Sequence, residues 1–258
     1  SLERTRYRNY ETFNEWTDLI MRINVYISST GFCSRREADR LIQNGRVMIN
    51  GQFAQIGTDV GDDDAISIDG KSIRKRPKAI YLAFNKPVGI ESTTDQAKSK
   101  NIVDFLHFPE RIFPIGRLDK DSSGLILLTN DGMIVNEILR SENEHDKEYI
   151  VDLDNDITAE FLSAMMTGVK IYNPARHEYA ITKPCKVTQL DKRQLAIVLT
   201  QGLNRQIRRM TQAMGFHVLT LKRIRIMNIK LDSLPSGEYR YLVKEELDQL
   251  LKTINRQQ

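Results

Sequence analysis

Residues 113–132 read F-P-I-G-R-L-D-K-D-S-S-G-L-I-L-L-T-N-D-G. Arg117 and Asp119 stand just ahead of a turn-forming Asp121-Ser122-Ser123-Gly124. An apolar run, Leu125 to Leu128, follows and is closed by Asn130-Asp131-Gly132. Glycine and Asn-Asp-Gly clusters punctuate a chain, and a short apolar run between them fits a buried strand. Asp119 is therefore expected on a loop that feeds the core, with rigid structure behind it. Catalytic side chains concentrate at such positions. The residues by themselves favour a plainer role, a turn aspartate that bonds its own backbone.

Downstream, His145 to Val151 alternates into a strand. Thr158 to Met166 reads as a helix, and Ile171, Val187 and Leu195–Leu199 supply further strands. Repeated βαβ units and a G-x-G-x-x-G fingerprint are both missing, which argues against a dinucleotide fold. A helix opens in the stretch from Gly202 to Met210. Arg205, Arg208 and Arg209 share one of its faces, and Ile207, Met210 and Met214 form the opposite, buried one. Thr200 to Lys230 holds seven Lys or Arg and no acid, a lopsided cationic stretch that includes the basic alternating strand Leu221–Ile226. A last helix from Lys244 to Leu251 has the pattern of a packing element.

Upstream, residues 1–20 are a polar and aromatic extension, and residues 21–70 form a compact unit of two helices and a small sheet. Ser34 and Glu37 make a capping box for the second helix, and Asn50-Gly51 is a strong hairpin turn. Arg35, Arg36 and Arg40 lie on that second helix away from its apolar face, with Arg22 and Arg46 nearby. The cations have few acids among them, so the face suits phosphates. Lys71 to Lys78, K-S-I-R-K-R-P-K, is a basic linker. Beyond it Ile80–Phe84 is strand-like, Asn85–Gly89 turns, and Ile102–Phe105 makes a short helix.

The chain has 258 residues, 40% hydrophobic and 28% charged, which fits a folded globular protein with a sizeable core. Its two cysteines, Cys33 and Cys185, are far apart and have no C-x-x-C partner. That disfavours a disulfide framework or zinc site and fits a reducing cytoplasm. No run approaches the roughly 20 apolar residues of a membrane span, and the N-terminus lacks a signal-peptide core. Phosphate-binding glycine loops and metal clusters are also missing, so no metal and no cofactor are expected.

Four stretches carry a resemblance. G-R-L-D-K-D-S-S-G-L-I-L-L-T-N-D-G resembles the active-site signature of the pseudouridine synthases, in the RsuA group that acts on ribosomal RNA. N-K-P-V-G-I, K-E-Y-I-V and G-L-N-R-Q-I-R-R-M resemble further motifs of that group. R-I-N-V-Y-I-S-S-T-G-F-C-S-R-R-E-A-D-R-L-I-Q-N-G-R-V-M-I-N-G resembles the S4 RNA-binding domain. The resemblance implies an α+β fold: an S4 domain over 21–70, the linker 71–78, and a catalytic domain over 79–258 with a central mixed, mainly antiparallel sheet. It implies Asp119 as the catalytic carboxylate, Tyr149 against the target base and Arg208 paired with Asp119. Arg117 would fill the space left by an extruded base, and Arg22, Arg35, Arg36, Arg40, Arg46, Arg205 and Arg209 would hold RNA. The implied partner is RNA, a 23S ribosomal stem-loop ahead of transfer RNA, and the implied state is a monomer. An S4 binding module without catalysis is the reading from a different class.

Overall fold

The computed structural model describes residues 20–255 apart from 62, 76–78, 96, 98–99, 133, 136–137, 139–144 and 175–176. The expected extension and the end of the basic linker therefore lie mostly outside the described residues. Contacts group the chain into two compact units. One holds the chain through Ile80 with Pro109–Ile112 and Thr129–Ile134; the other holds Tyr81–Phe108, Phe113–Leu128 and Val135 onward.

The first unit runs β1 (Met21–Arg22), α1 (Ile23–Ser29), α2 (Arg35–Gln43), β2 (Val47–Ile49), β3 (Gln52–Phe53), β4 (Asp59–Val60), β5 (Ile66–Ile68) and β6 (Lys71–Ser72). Ser34 caps α2 as its sequence requires, its Oγ accepting from the Glu37 amide at 3.3 Å. Ile23, Tyr26 and Ile27 of α1 and Ala38, Leu41 and Ile42 of α2 are buried in one cluster with Val47, Ile66 and Ile68 of the sheet. Asn50 and Gly51 both have positive φ, 49° and 82°, the geometry of a tight hairpin between β2 and β3.

The second unit runs β7 (Tyr81–Lys86), α3 (Ile102–Leu106), β8 (Phe113–Ile115), β9 (Ser123–Thr129), β10 (Lys147–Leu153), α4 (Ala159–Thr167), β11 (Lys170–Asn173) and β12 (Glu178–Ile181). It continues with β13 (Lys186–Asp191), β14 (Gln194–Leu199), α5 (Gln206–Ala213), β15 (Val218–Ile226), β16 (Ile229–Lys230), β17 (Tyr239–Tyr241) and α6 (Lys244–Asn255). Its main sheet has the order β13-β14-β10-β15-β9-β7-β17, with β16 on β15 and β8 on β9. The outer pairs are antiparallel, but β15 and β9 run parallel, with Lys222 opposite Ser123 and Arg223 opposite Gly124. This is the mixed sheet of the expected α+β class. Leu125 to Leu128 are 0–2% exposed, the buried strand that the opening motif predicts.

Two local expectations shift. Helix α5 starts at Gln206, later than the sequence reading placed it, because Arg205 takes a left-handed conformation at φ 50° and ψ 36°. The strand Val218–Ile226 is not basic on an outward face throughout, since Arg223 is only 4% exposed. Gly132, Ile134, Val135 and Ile138 are helical, and the remainder of the helix expected there lies outside the described residues.

Candidate active site

Asp119 sits on the turn between β8 and β9, its side chain about one-third exposed at 35%. The backbone around it is tied down group by group. The Arg117 carbonyl accepts from Arg223 Nη1 at 3.3 Å. Ser92 Oγ accepts from the Leu118 amide at 3.2 Å and donates to the Leu118 carbonyl at 2.8 Å. The Asp119 carbonyl accepts from the Ser122 amide at 3.0 Å, and the Lys120 carbonyl from the Gly89 amide at 2.7 Å. The acid is thus free to face a ligand while its main chain has little freedom to drift.

Gly124 lies just beyond the turn with φ +104°, and a Cβ there would drive into the Arg223 backbone. The parallel β9–β15 contact needs glycine at this point. Arg223 completes the junction by donating from Nε to the Leu125 carbonyl at 2.7 Å. Its guanidinium also lies 6.0 Å from the Tyr149 ring, its neighbour across β10 and β15. A bulge between Glu148 and Tyr149 resets that register, a device enriched beside active sites.

The cation nearest Asp119 differs from the expected one. Arg205 Nη1 lies 3.7 Å from the Asp119 carboxylate, and the same guanidinium grips Asp121 with two bonds of 2.9 and 2.7 Å. Arg208 donates instead to the Asp121 carbonyl at 2.9 Å and the Val218 carbonyl at 3.3 Å, with Nε 3.4 Å from the Asp121 carboxylate. The expected Arg208–Asp119 pair is therefore replaced by Arg205–Asp119, with Arg208 clamping the next acid. The late helix start explains this: Arg205 at the cap swings back toward the loop, and Arg208 follows a turn behind. Arg209 spends its donors on Asn204 and on the Tyr172 carbonyl. Arg117 is exposed.

Electrostatics follow from these contacts. The Arg205 hydrogen bonds, helped by the Arg208 charge, hold Asp121 below the usual carboxylate range. Lys86 is fully buried, and its Nζ donates to the Pro87 and Ile90 carbonyls, both at 2.9 Å. Burial, together with the Arg223 charge, lowers it from 10.5 to about 8, against the pull of Asp119 and Asp121. Lys86, Ser92 and Arg223 are the residues that sequence reasoning passed over. Lys86 lies within the quoted N-K-P-V-G-I and Arg223 within a noted strand, while Ser92 stands two residues beyond the end of that motif.

On the first unit the expected cationic face is partly paired. Arg22 bonds the Gly57 carbonyl and lies 3.3 Å from Asp59, Arg40 lies 3.2 Å from Glu37, and Arg46 makes a two-bond pair with Asp69. Strand pairing brings distant acids to Arg22, since Asp59 is its partner across β1 and β4. Arg35 and Arg36 make no ion pair among the described residues.

With this geometry in view, the comparisons define the class. An S4 domain profile matches residues 21–66, and an RNA pseudouridylate synthase profile matches residues 80–213. The chain belongs to the RNA pseudouridine synthases, isomerases that convert uridine in RNA to pseudouridine. It is 50% identical over 240 residues to the dual-specificity RNA pseudouridine synthase RluF of Salmonella typhi, covering 92% of this chain and 81% of that protein. It is 34% identical over 238 residues to the ribosomal large subunit pseudouridine synthase B of Bacillus subtilis, covering 89% of this chain and 95% of that one. A crystal structure of a pseudouridylate synthase matches with a TM-score of 0.63 at 29% identity, covering 89% and 99% of the two chains. None of the described helices is long and apolar enough to cross a membrane.

Proposed function

We propose that Asp119 is the catalytic carboxylate of this synthase and that its substrate is a stem-loop of 23S ribosomal RNA. The supporting observation is an acid left accessible on a loop whose four consecutive peptide groups, Arg117 to Lys120, all have hydrogen-bond partners. The reaction breaks the N1–C1′ bond of a uridine, turns the base and bonds C5 to C1′. The C5 proton leaves and N1 takes one up, so no electrons enter or leave. The target base must leave its helix to reach the acid. Exposed Arg117 would occupy the vacated space, and Tyr149 would stack on the uracil.

Arg205 Nη1 lies 3.7 Å from the Asp119 carboxylate and, held by two bonds to Asp121, is placed to orient it. Arg208 acts one step back, fixing Asp121 and through it the Arg205 fork. The carboxylate then has three available roles: attack on the sugar, attack on the base, or removal of a sugar proton. The S4 domain, residues 21–70 extended by the strand β6 at Lys71–Ser72, would hold RNA through Arg35 and Arg36, with the rest of the 71–78 segment joining it to the catalytic domain over 79–258. Arg22, Arg40 and Arg46 can exchange their exposed acid partners for phosphates at small cost. The enzyme would work as a cytoplasmic monomer. The dual-specificity description of the RluF relative supports a second RNA target, for which transfer RNA is the candidate.

Tritium release from RNA carrying 5-tritiated uracil tests the assignment. Asp119→Asn should lower release roughly 10^3-fold, within the range for a lost acid–base group, with RNA affinity kept. Wild-type release from that variant would remove Asp119 from the chemistry. Mapping pseudouridine in ribosomal and transfer RNA from cells lacking the protein would identify the site.

A further inference from the structure

The two-stranded sheet of β11 and β12 has two unlike faces. Ile171, 3% exposed, turns into the core beside Val169 and Leu199. The register pairs Lys170 with Ile181 and Tyr172 with Tyr179, so these four side chains share the outer face. Tyr172 is 40% exposed, Tyr179 66% and Ile181 72%. The outward face of a hairpin is ordinarily polar. Here the two rings meet edge to face at 5.3 Å, and Lys170 Nζ sits 5.0 Å from the Tyr179 ring centre. His177 lies 3.4 Å from the Tyr172 hydroxyl. Glu178 alternates to the other face, so no acid occupies any of the four outer positions.

We propose that this face is a stacking platform for an unpaired nucleotide of the substrate RNA, a few positions from the target uridine. The inference rests on the RNA substrate argued above and adds a specific contact to it. Exposed aromatic rings flanked by cations fit unpaired bases and their phosphates better than they fit a duplex, whose bases are already stacked. The hairpin is also coupled to the reacting acid. Arg209 in the first turn of α5 bonds the Tyr172 carbonyl at 3.2 Å, and Arg205, the left-handed residue that caps the same helix, reaches Asp119 at 3.7 Å. The Arg209 amide donates to the Arg205 carbonyl at 3.0 Å, so the start of α5 holds the platform and the acid in fixed relation.

The test compares Tyr179→Ala and Tyr179→Leu with wild type, the leucine keeping apolar bulk without a ring. A ribosomal RNA stem-loop and a blunt RNA duplex serve as probes, with 2-aminopurine in the loop reporting stacking. Both variants should bind the stem-loop roughly tenfold more weakly and lose the 2-aminopurine quench, with duplex affinity and saturated turnover unchanged. Wild-type binding by both variants would overturn the platform, as would wild-type binding by the leucine variant alone. A wild-type dimer dissolved by Tyr179→Ala would assign the face to a second copy of the chain instead. If wild-type enzyme formed no pseudouridine in the stem-loop, the substrate assignment would fail first. Turnover with unaltered variant binding would remove the platform alone.

Discussion

The Asp119 loop and the cationic face of α2 are both rich in charge, and they are built in opposite ways. Around Asp119 the backbone is pinned by Ser92, Gly89, Ser122 and Arg223, and Lys86 and Arg223 are almost without water contact. On the first unit Arg22, Arg40 and Arg46 stand 49–71% exposed, paired across short surface contacts. Exposed pairs of this kind contribute roughly 0–1 kcal/mol and weaken with salt. On the function proposed above, the difference separates two tasks. Rearranging a glycosidic bond needs charges that do not reorganise. Holding a polyanion needs charges that can change partners.

The contrast breaks most sharply at Gly124. Gly124→Ala should destabilise the second unit by about 3 kcal/mol, because a Cβ adds steric conflict with the Arg223 backbone to a backbone strain of that order. Urea unfolding would measure it, and an unchanged midpoint would mean that the β9–β15 junction yields easily.

Lys86 gives a test with a sign. Its pKa falls from 10.5 unfolded to about 8 folded, so burial of its charge opposes folding in full below pH 8. That cost declines as pH rises from 8 to 10.5, where the folded state loses its proton first. Relative to Lys86→Met, wild type should therefore gain up to about 3 kcal/mol of stability across that window. A pH-independent difference would show that the ammonium is not held away from water.

Ser92→Ala should cost about 1–2 kcal/mol and lower turnover more than RNA affinity, since both Leu118 peptide groups lose their partner. Equal losses in turnover and affinity would mean that the loop also binds. The smallest effect belongs to the first unit. Arg36→Ala should weaken RNA binding several-fold and reduce the salt slope by about one, with turnover at saturation untouched. An unchanged slope would remove the phosphate contact.

Much of this was legible in the chain. The apolar run Leu125–Leu128, the cap at Ser34 and the Asn50-Gly51 turn are local patterns, and each folds as its pattern requires. The guanidinium beside Asp119 was not. Arg205 and Arg208 lie three residues apart in one motif, and a left-handed residue at the helix start decides which of them reaches the acid. Ser92 and Arg223 were hidden for another reason. Their partners are 26 and 106 residues away, at Leu118 and Arg117, distances over which periodicity carries no information. The same holds for the acid that pairs with Arg22, which only the β1–β4 register brings close.

The parallel seam between β9 and β15 has a consequence for biosynthesis. Roughly 100 residues separate its two edges, Ser123–Gly124 and Lys222–Arg223. At about 5–20 residues per second, a ribosome leaves the acid-bearing loop without its far support for seconds after making it. The S4 segment, complete long before, can fold meanwhile. A nascent chain would therefore hold an RNA grip before it holds a working catalyst, and its isomerase activity would switch on only once Lys222–Arg223 has emerged.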